Sequence, residues 1–232
     1  MSRAPRKQSS PCNSSIVPSP NPHPMRDTAF SFAAEVERQI HALSPEGFYM
    51  RQGRGKLLLE EWYPISRLAL HFKQPGLEVH VEAFGDSGIA DAHIEERGFR
   101  DRTFDVQVTY VGDYEGALRR ELLHRQNFAP GAGPIARCKS SGEIVAEIAA
   151  VDAEHELQQV AEGIAERFLK KAKKAYPENT VLLIAFDDMT LGGFSMWQKL
   201  LTLIQERVTL TNSRFKSVYI INCATNELIR AA

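Results

Sequence analysis

The chain is poor in cysteine, has no long apolar run and carries no excess of charge of either sign. Its three cysteines, Cys12, Cys138 and Cys223, form no CxxC pair. That excludes a disulfide framework and a zinc ribbon and leaves reduced thiols as the expectation. Lysine and arginine number 28 against 29 aspartates and glutamates, for a formal net charge of −1. No global field draws such a chain to polyanions, so a nucleic-acid site has to be a local patch. No stretch reaches the roughly 18 apolar residues of a membrane span. The best one, TVLLIAFDD, is broken by Asp187 and Asp188. The N-terminal residues lack the apolar segment of a secretory signal. These absences predict a cytoplasmic protein with no membrane partner. Three motifs are missing as well: a phosphate-binding GxxxxGK[ST] loop, a GxSxG elbow and an HExxH helix. The seven histidines show no paired metal spacing.

What is present is an ordinary globular composition, 43% apolar and 25% charged, enough to build a packed core. Residues 1–26, rich in serine and proline, read as a disordered leader ahead of a single α/β domain over 27–232. Ala29, Ala33, Val36, Ile40 and Leu43 fall on one side of a helix over 28–43. Residues 44–55 read as a loop. KLLLEEWYPISRLALHF reads as helical, with Pro64 forcing a break or a new first turn. Three alternating strands follow in LEVHVEAF, IADAHIE and TFDVQVTYV, with ERGFRDR turning the chain between the last two. Asp113 opens a helix to about Gln126, and a Gly-rich loop leads to a fourth strand, EIVAEIAAV. Asp152 caps the strongest amphipathic helix, which carries Leu157, Val160, Ala161, Ile164, Ala165, Phe168, Leu169 and Ala172 inward. TVLLIAF and FKSVYIIN read as strands buried on both faces, joined by the helix FSMWQKLLTLIQ. The predicted fold is a mixed central sheet flanked by helices.

The chemistry sits on the second and third alternating strands. As an antiparallel hairpin they place Asp91 opposite either Gln107 or Val108, and the turn register decides which. In the Gln107 register, Asp91, His93, Asp105, Gln107 and Thr109 share one polar face. In the other, Asp91 and Asp105 point to opposite faces. Cross-strand carboxylates about 5 Å apart repel unless they share a proton or a cation. A hard divalent ion suits them, because it takes one or two carboxylates and keeps several waters. A bound ion can activate water and stabilise charge on a phosphoryl group. The same stripe also fits the wet face of an ordinary antiparallel strand.

The segment GIADAHIEERGFRDRTFDVQVTYV resembles the core of the restriction-endonuclease-like superfamily, the PD-(D/E)xK nucleases. That family places an Asp on one strand and an acid-x-Lys on the next, with a helical Glu upstream. The resemblance covers residues 56–187 and implies a restriction-endonuclease-like fold and a Mg²⁺-dependent endonuclease acting on DNA or RNA. Asp91 matches the lone Asp, Asp105-Val106-Gln107 the second motif, and Glu60 or Glu61 the helical acid. The resemblance thus implies Asp91, Asp105 and Glu60 as metal ligands, and Asp91, Asp105, Gln107 and Glu61 as catalytic residues. Ala90 replaces the Pro, and Gln107 stands where Lys is usual. Gln107-Val108-Thr109 is a rival second motif that carries no acid. Without the lysine's charge beside the attacking water, catalysis is slowed, rescued from elsewhere, or lost.

Arg119, Arg120 and Arg125 lie on the helix after the third strand and are candidate phosphate contacts. Lys170, Lys171, Lys173 and Lys174 crowd a helix C-terminus, where cations are favoured, and read as a solvated face. Trp62 and Trp197 read as packing residues. The rival functional expectation is a non-catalytic interaction protein on the same fold, whose acidic and basic surfaces serve a protein partner or which homodimerises through the helix around Trp197.

Overall fold

The computed structural model describes residues 24–85, 89–150, 152–189 and 191–232. Most of the leader therefore lies outside the described residues. Met25 and Arg26 do not belong to it: Met25–Thr28 form an edge strand, β1, paired antiparallel with β2. Thr28 then caps α1 (Ala29–His41), its hydroxyl accepting from the Ser31 amide.

The segment read as a loop holds two short helices, α2 (Pro45–Met50) and α3 (Arg54–Lys56). Ser44 caps α2 and Pro45 sits in its first turn, but α2 buries no residue. Without an apolar stripe there was no periodicity to read. A π-helical segment, Leu57–Trp62, joins α3 to α4 (Tyr63–Phe72). In it the Tyr63 amide donates to Leu58, five residues back. Proline cannot donate to residue 60 and its ring crowds that carbonyl, so the wider turn lets the helix continue through Pro64.

The strands β2 (Leu77–Ala83), β3 (Ala92–Gly98) and β4 (Arg102–Val111) form an antiparallel meander. The turn is tighter than ERGFRDR suggested. Glu96 and Arg97 stay in β3, and Glu96 is fully buried between Arg100 (2.8 Å) and Arg102 (2.6 Å). Three residues, Phe99 to Asp101, suffice to reverse the chain. Asp113 caps α5 (Tyr114–Gln126) as expected.

The expected fourth strand is not part of the main sheet: among the described residues of that segment only Ile144–Ala146 (β6) is a strand, and it pairs with Ile135–Arg137 (β5) in a separate two-stranded ribbon. Its side chains are half-buried or exposed, and Val145 and Ile148 face solvent. The apolar letters therefore do not mark a core strand. α6 (Ala153–Ala172), β7 (Thr180–Phe186), α7 (Phe194–Arg207) and β8 (Ser217–Asn222) follow the sequence pattern closely. A last strand, β9 (Glu227–Arg230), closes the far edge.

The main sheet has the order β1-β2-β3-β4-β7-β8-β9. β4, β7 and β8 run parallel to one another, and the remaining neighbours are antiparallel. One face packs on α1, the π segment and α4 through Phe32, Leu58, Trp62, Val81, Ile94 and Val106. On the other face, α6 and α7 cover β7 and β8 through Ile164, Phe168, Ile184, Trp197 and Ile220. Trp197 is 4% exposed, so it anchors this core and does not present itself to a partner. That second face changes character at β4, where β2, β3 and β4 present polar side chains instead of an apolar layer. The candidate site lies at this boundary. Among the described residues, no helix is long and apolar enough to cross a membrane.

Candidate functional site

The hairpin register is the one that groups the polar residues. Ala92 pairs with Val106 and His93 with Asp105, and the Asp91 amide donates to the Val106 carbonyl at 2.9 Å. Asp91 therefore stands across from Gln107, and Asp91, His93, Asp105, Gln107 and Thr109 share one face.

β3 stops at this point while β4 runs on. Asp91 fills the step. Its Oδ2 accepts the Val108 backbone N–H at 2.6 Å and the Gln107 side-chain amide. A carboxylate thus replaces the missing strand partner and satisfies amides that lack a ladder neighbour. Gln107 is held at 7% exposure, so its amide orientation is fixed by packing as well as by Asp91.

Two further groups meet here from outside the hairpin. Lys171, near the end of α6, is half-buried and lies within electrostatic reach of both Asp91 and Glu61. Burial lowers its pKa below the ordinary lysine value, and the two carboxylates oppose that effect. The lysine run thus splits: Lys170, Lys173 and Lys174 are exposed, whereas Lys171 is half-buried within electrostatic reach of the acids. Sequence reasoning missed this, because helix periodicity ranks positions by apolar content. The one available signal was Lys171 falling three residues after Phe168 on the apolar stripe.

At the end of β4 opens a polar pocket of about 390 Å³, lined on the sheet side by Val108, Thr109 and Tyr110. Lys56, Arg120 and Arg167 line it as cations, Glu60, Glu61 and Asp113 as acids. Each acid has a partner. Asp113 accepts the Gly116 amide as the cap of α5. Glu60 lies 3.9 Å from Arg51, and burial raises its pKa against the pull of Arg51 and Lys56. Glu61 shares Lys171 with Asp91. Behind the pocket, Arg51 is anchored to Asp187, which also accepts from the Tyr110 hydroxyl, and its guanidinium lies over the Tyr110 ring at 5.0 Å. Burial and Asp187 together push the Tyr110 hydroxyl pKa up.

The structure therefore brings Asp91, Gln107, Glu60, Glu61 and Arg120 to one region. Asp105 shares their face but sits one pair further down the hairpin, where His93 Nδ1 lies 3.0 Å from its carboxylate. It stands on the open part of the sheet, 31% exposed. Arg125 turns away to Glu121 at 2.7 Å, and Arg119 to the Gly133 carbonyl and Glu115. Among the described residues, no group of three or more His, Cys, Asp or Glu side chains has metal-holding geometry. Asp91 and Glu61 are the two carboxylates within electrostatic reach of Lys171. Such a set suits a hard ion that keeps most of its water and takes further oxygens from a substrate phosphate.

Fold and site together define an α/β protein with a mixed sheet and a carboxylate–lysine group beside a cation-lined pocket. Comparison with protein-family models, curated proteins and solved structures gives no match.

Proposed function

We propose that this protein is a divalent-cation-dependent phosphodiester hydrolase acting on nucleic acid, on a restriction-endonuclease-like core. The observation that carries the reading is Asp91 held by Gln107 and the Val108 amide where β4 outruns β3, with Lys171 within electrostatic reach of Asp91 and Glu61. The surrounding elements support it: an upstream helix supplies the Glu, a hairpin the Asp and Gln, and a long helix leads to a buried parallel strand.

Asp91 and Glu61 are the residues that would hold the cation, with Glu60 beside them. The bound ion supplies Lewis acidity toward a phosphoryl oxygen and lowers the pKa of its water. Gln107 fixes the orientation of the Asp91 carboxylate and carries no charge of its own. The positive charge that a lysine on β4 would bring comes instead from Lys171 on α6, which lies within electrostatic reach of the same two acids. Asp105, bonded to His93, is assigned a supporting role on the flanking surface.

The test is incubation of purified protein with single- and double-stranded DNA and RNA, in Mg²⁺ or Mn²⁺ and then with EDTA. Cleavage that needs the metal and is lost in both Asp91→Asn and Lys171→Met is the expected result. Metal-independent cleavage, or cleavage untouched by either substitution, overturns the assignment. Salt-sensitive binding without cleavage points instead to the non-catalytic reading on the same fold.

A further inference from the structure

We propose that the pocket at the end of β4 is a phosphomonoester site, and that Arg120 is its main ligand. Of the acids lining the pocket, Glu60 lies 3.9 Å from Arg51, Asp113 caps α5, and Glu61 lies within electrostatic reach of Lys171. Arg120, half-buried on α5, has no hydrogen-bond or ion-pair partner among the described residues, and its buried Nε is unsatisfied. Neighbouring Arg51 also has Nε and Nη1 buried and without a hydrogen-bond partner. Two guanidinium groups thus lie close enough to disfavour each other, and Arg120's pKa is lowered by burial first and by Arg51's charge second.

A half-buried, unpaired cation is costly to keep charged. Residues that carry that cost without a partner in the folded chain are suited to a ligand that supplies one. The ligand has to be an anion, since Arg120, which lines the pocket without a hydrogen-bond partner among the described residues, offers only N–H donors. At about 390 Å³ the pocket has room for a phosphate group together with part of the molecule that bears it. Three cations line it from separate elements, Lys56 on α3, Arg120 on α5 and Arg167 on α6. A tetrahedral oxyanion can be grasped from several sides there, as a flat carboxylate cannot, and guanidinium groups match phosphate oxygens in pairs. The Thr109 hydroxyl on the sheet side adds a neutral donor.

A phosphodiester inside a duplex lies along a continuous backbone and meets convex surface. A pocket set between three helical segments and the end of a strand instead favours a terminal phosphate, dianionic near neutral pH. The terminal phosphate of a polynucleotide strand and free phosphate share this chemistry. Assigning the strand end as the natural source rests on the nucleic-acid reading above. The pocket itself does not.

The experiment uses the full chain in EDTA, so no hydrolysis contributes. Calorimetric binding is compared for a short oligonucleotide bearing a 5′-phosphate and the same oligonucleotide with a 5′-hydroxyl, and inorganic phosphate is titrated separately. The phosphorylated strand is expected to bind at least roughly tenfold tighter than the hydroxyl strand, the scale of one buried charge-assisted contact. Arg120→Ala should abolish that preference, and Arg120→Lys should restore part of it. Should Arg120→Ala fail to fold, Arg167→Gln is expected to weaken the preference without removing it. Saturable binding of inorganic phosphate that is lost in Arg120→Ala also supports the site, and a larger effect in that arm names free phosphate as the occupant. Equal binding of both strands together with no phosphate binding overturns the proposal. Asp91→Asn is expected to leave the end preference intact, which separates failure of this site from failure of the hydrolase reading.

Discussion

Asp91 combines two tasks in one carboxylate. It ends the β3–β4 ladder by accepting the Val108 amide and the Gln107 side chain, and it lies within electrostatic reach of Lys171. Asp91→Ala strands a backbone donor and an amide, and is expected to lower stability by about 2 kcal/mol. Asp91→Asn keeps an acceptor and should cost less than about 1 kcal/mol. Urea denaturation monitored by circular dichroism checks both values, and near-equal losses would show that the hydrogen bonds count for little. Lys171 gives a pH signature. Its folded pKa lies below the ordinary value of 10.5, so its ammonium is lost earlier on raising the pH than that of an exposed lysine. Because the charged form is the disfavoured one, this group's contribution to stability improves as pH rises from the lowered value to the ordinary one. Activity should run the other way. Hydrolysis is expected to fall on the alkaline side below the ordinary lysine range, and Lys171→Arg should move that limb upward. A pH–rate profile unchanged by Lys171→Arg would remove Lys171 from the reaction.

At the scale of elements, the pocket depends on how α2 and α3 are held against each other. Gly55 is buried with its α-carbon against the Gly47 backbone, and a side chain there would overlap the Gly47 carbonyl. Gly55→Ala has to push the two helices apart, at a cost of about 2–3 kcal/mol. Because Lys56 is the next residue and Arg51 sits between the two helices, the same change should weaken phosphate binding as well. Thermal denaturation with and without inorganic phosphate measures both, and an unaltered melting temperature would contradict the packing described. Gly163 does related work in α6, where an added Cβ would meet Val111 Cγ1 at 2.6 Å and hold the helix off β4. The elements best legible in the sequence were those with one complete apolar stripe or an all-apolar run, α1, α6, α7, β7 and β8. Those missed, β1, β9, α2 and the β5–β6 ribbon, are short and largely unburied. β1 pairs with β2 far along the chain, and the β5–β6 and β8–β9 pairs, though local, carry too little apolar alternation to announce themselves.

For the whole molecule, a net charge of −1 means that affinity for a polyanion comes from the pocket alone. Few phosphates can be neutralised at once. The logarithm of the binding constant should therefore fall with the logarithm of salt concentration at a slope of roughly −1 to −3, for about two or three contacts. Fluorescence anisotropy across a salt series measures it. A slope near −8 or steeper would demand a wide basic surface of about nine contacts, which the described residues do not provide.

The amino-acid sequence alone determined the α/β class, the alternation that puts apolar side chains of the hairpin on one face, and the candidacy of Asp91, Gln107, Glu60, Glu61 and Arg120. Those follow from periodicity and residue type, which are local properties. Only the tertiary structure decided between the two hairpin registers, separated Asp105 from the pocket by pairing it with His93, and brought Lys171 of a lysine run within electrostatic reach of Asp91 and Glu61. Each of these depends on where β3 ends relative to β4 and on how α6 lies across the sheet. Such offsets between distant segments are set by packing and leave no trace in the spacing of neighbouring residues.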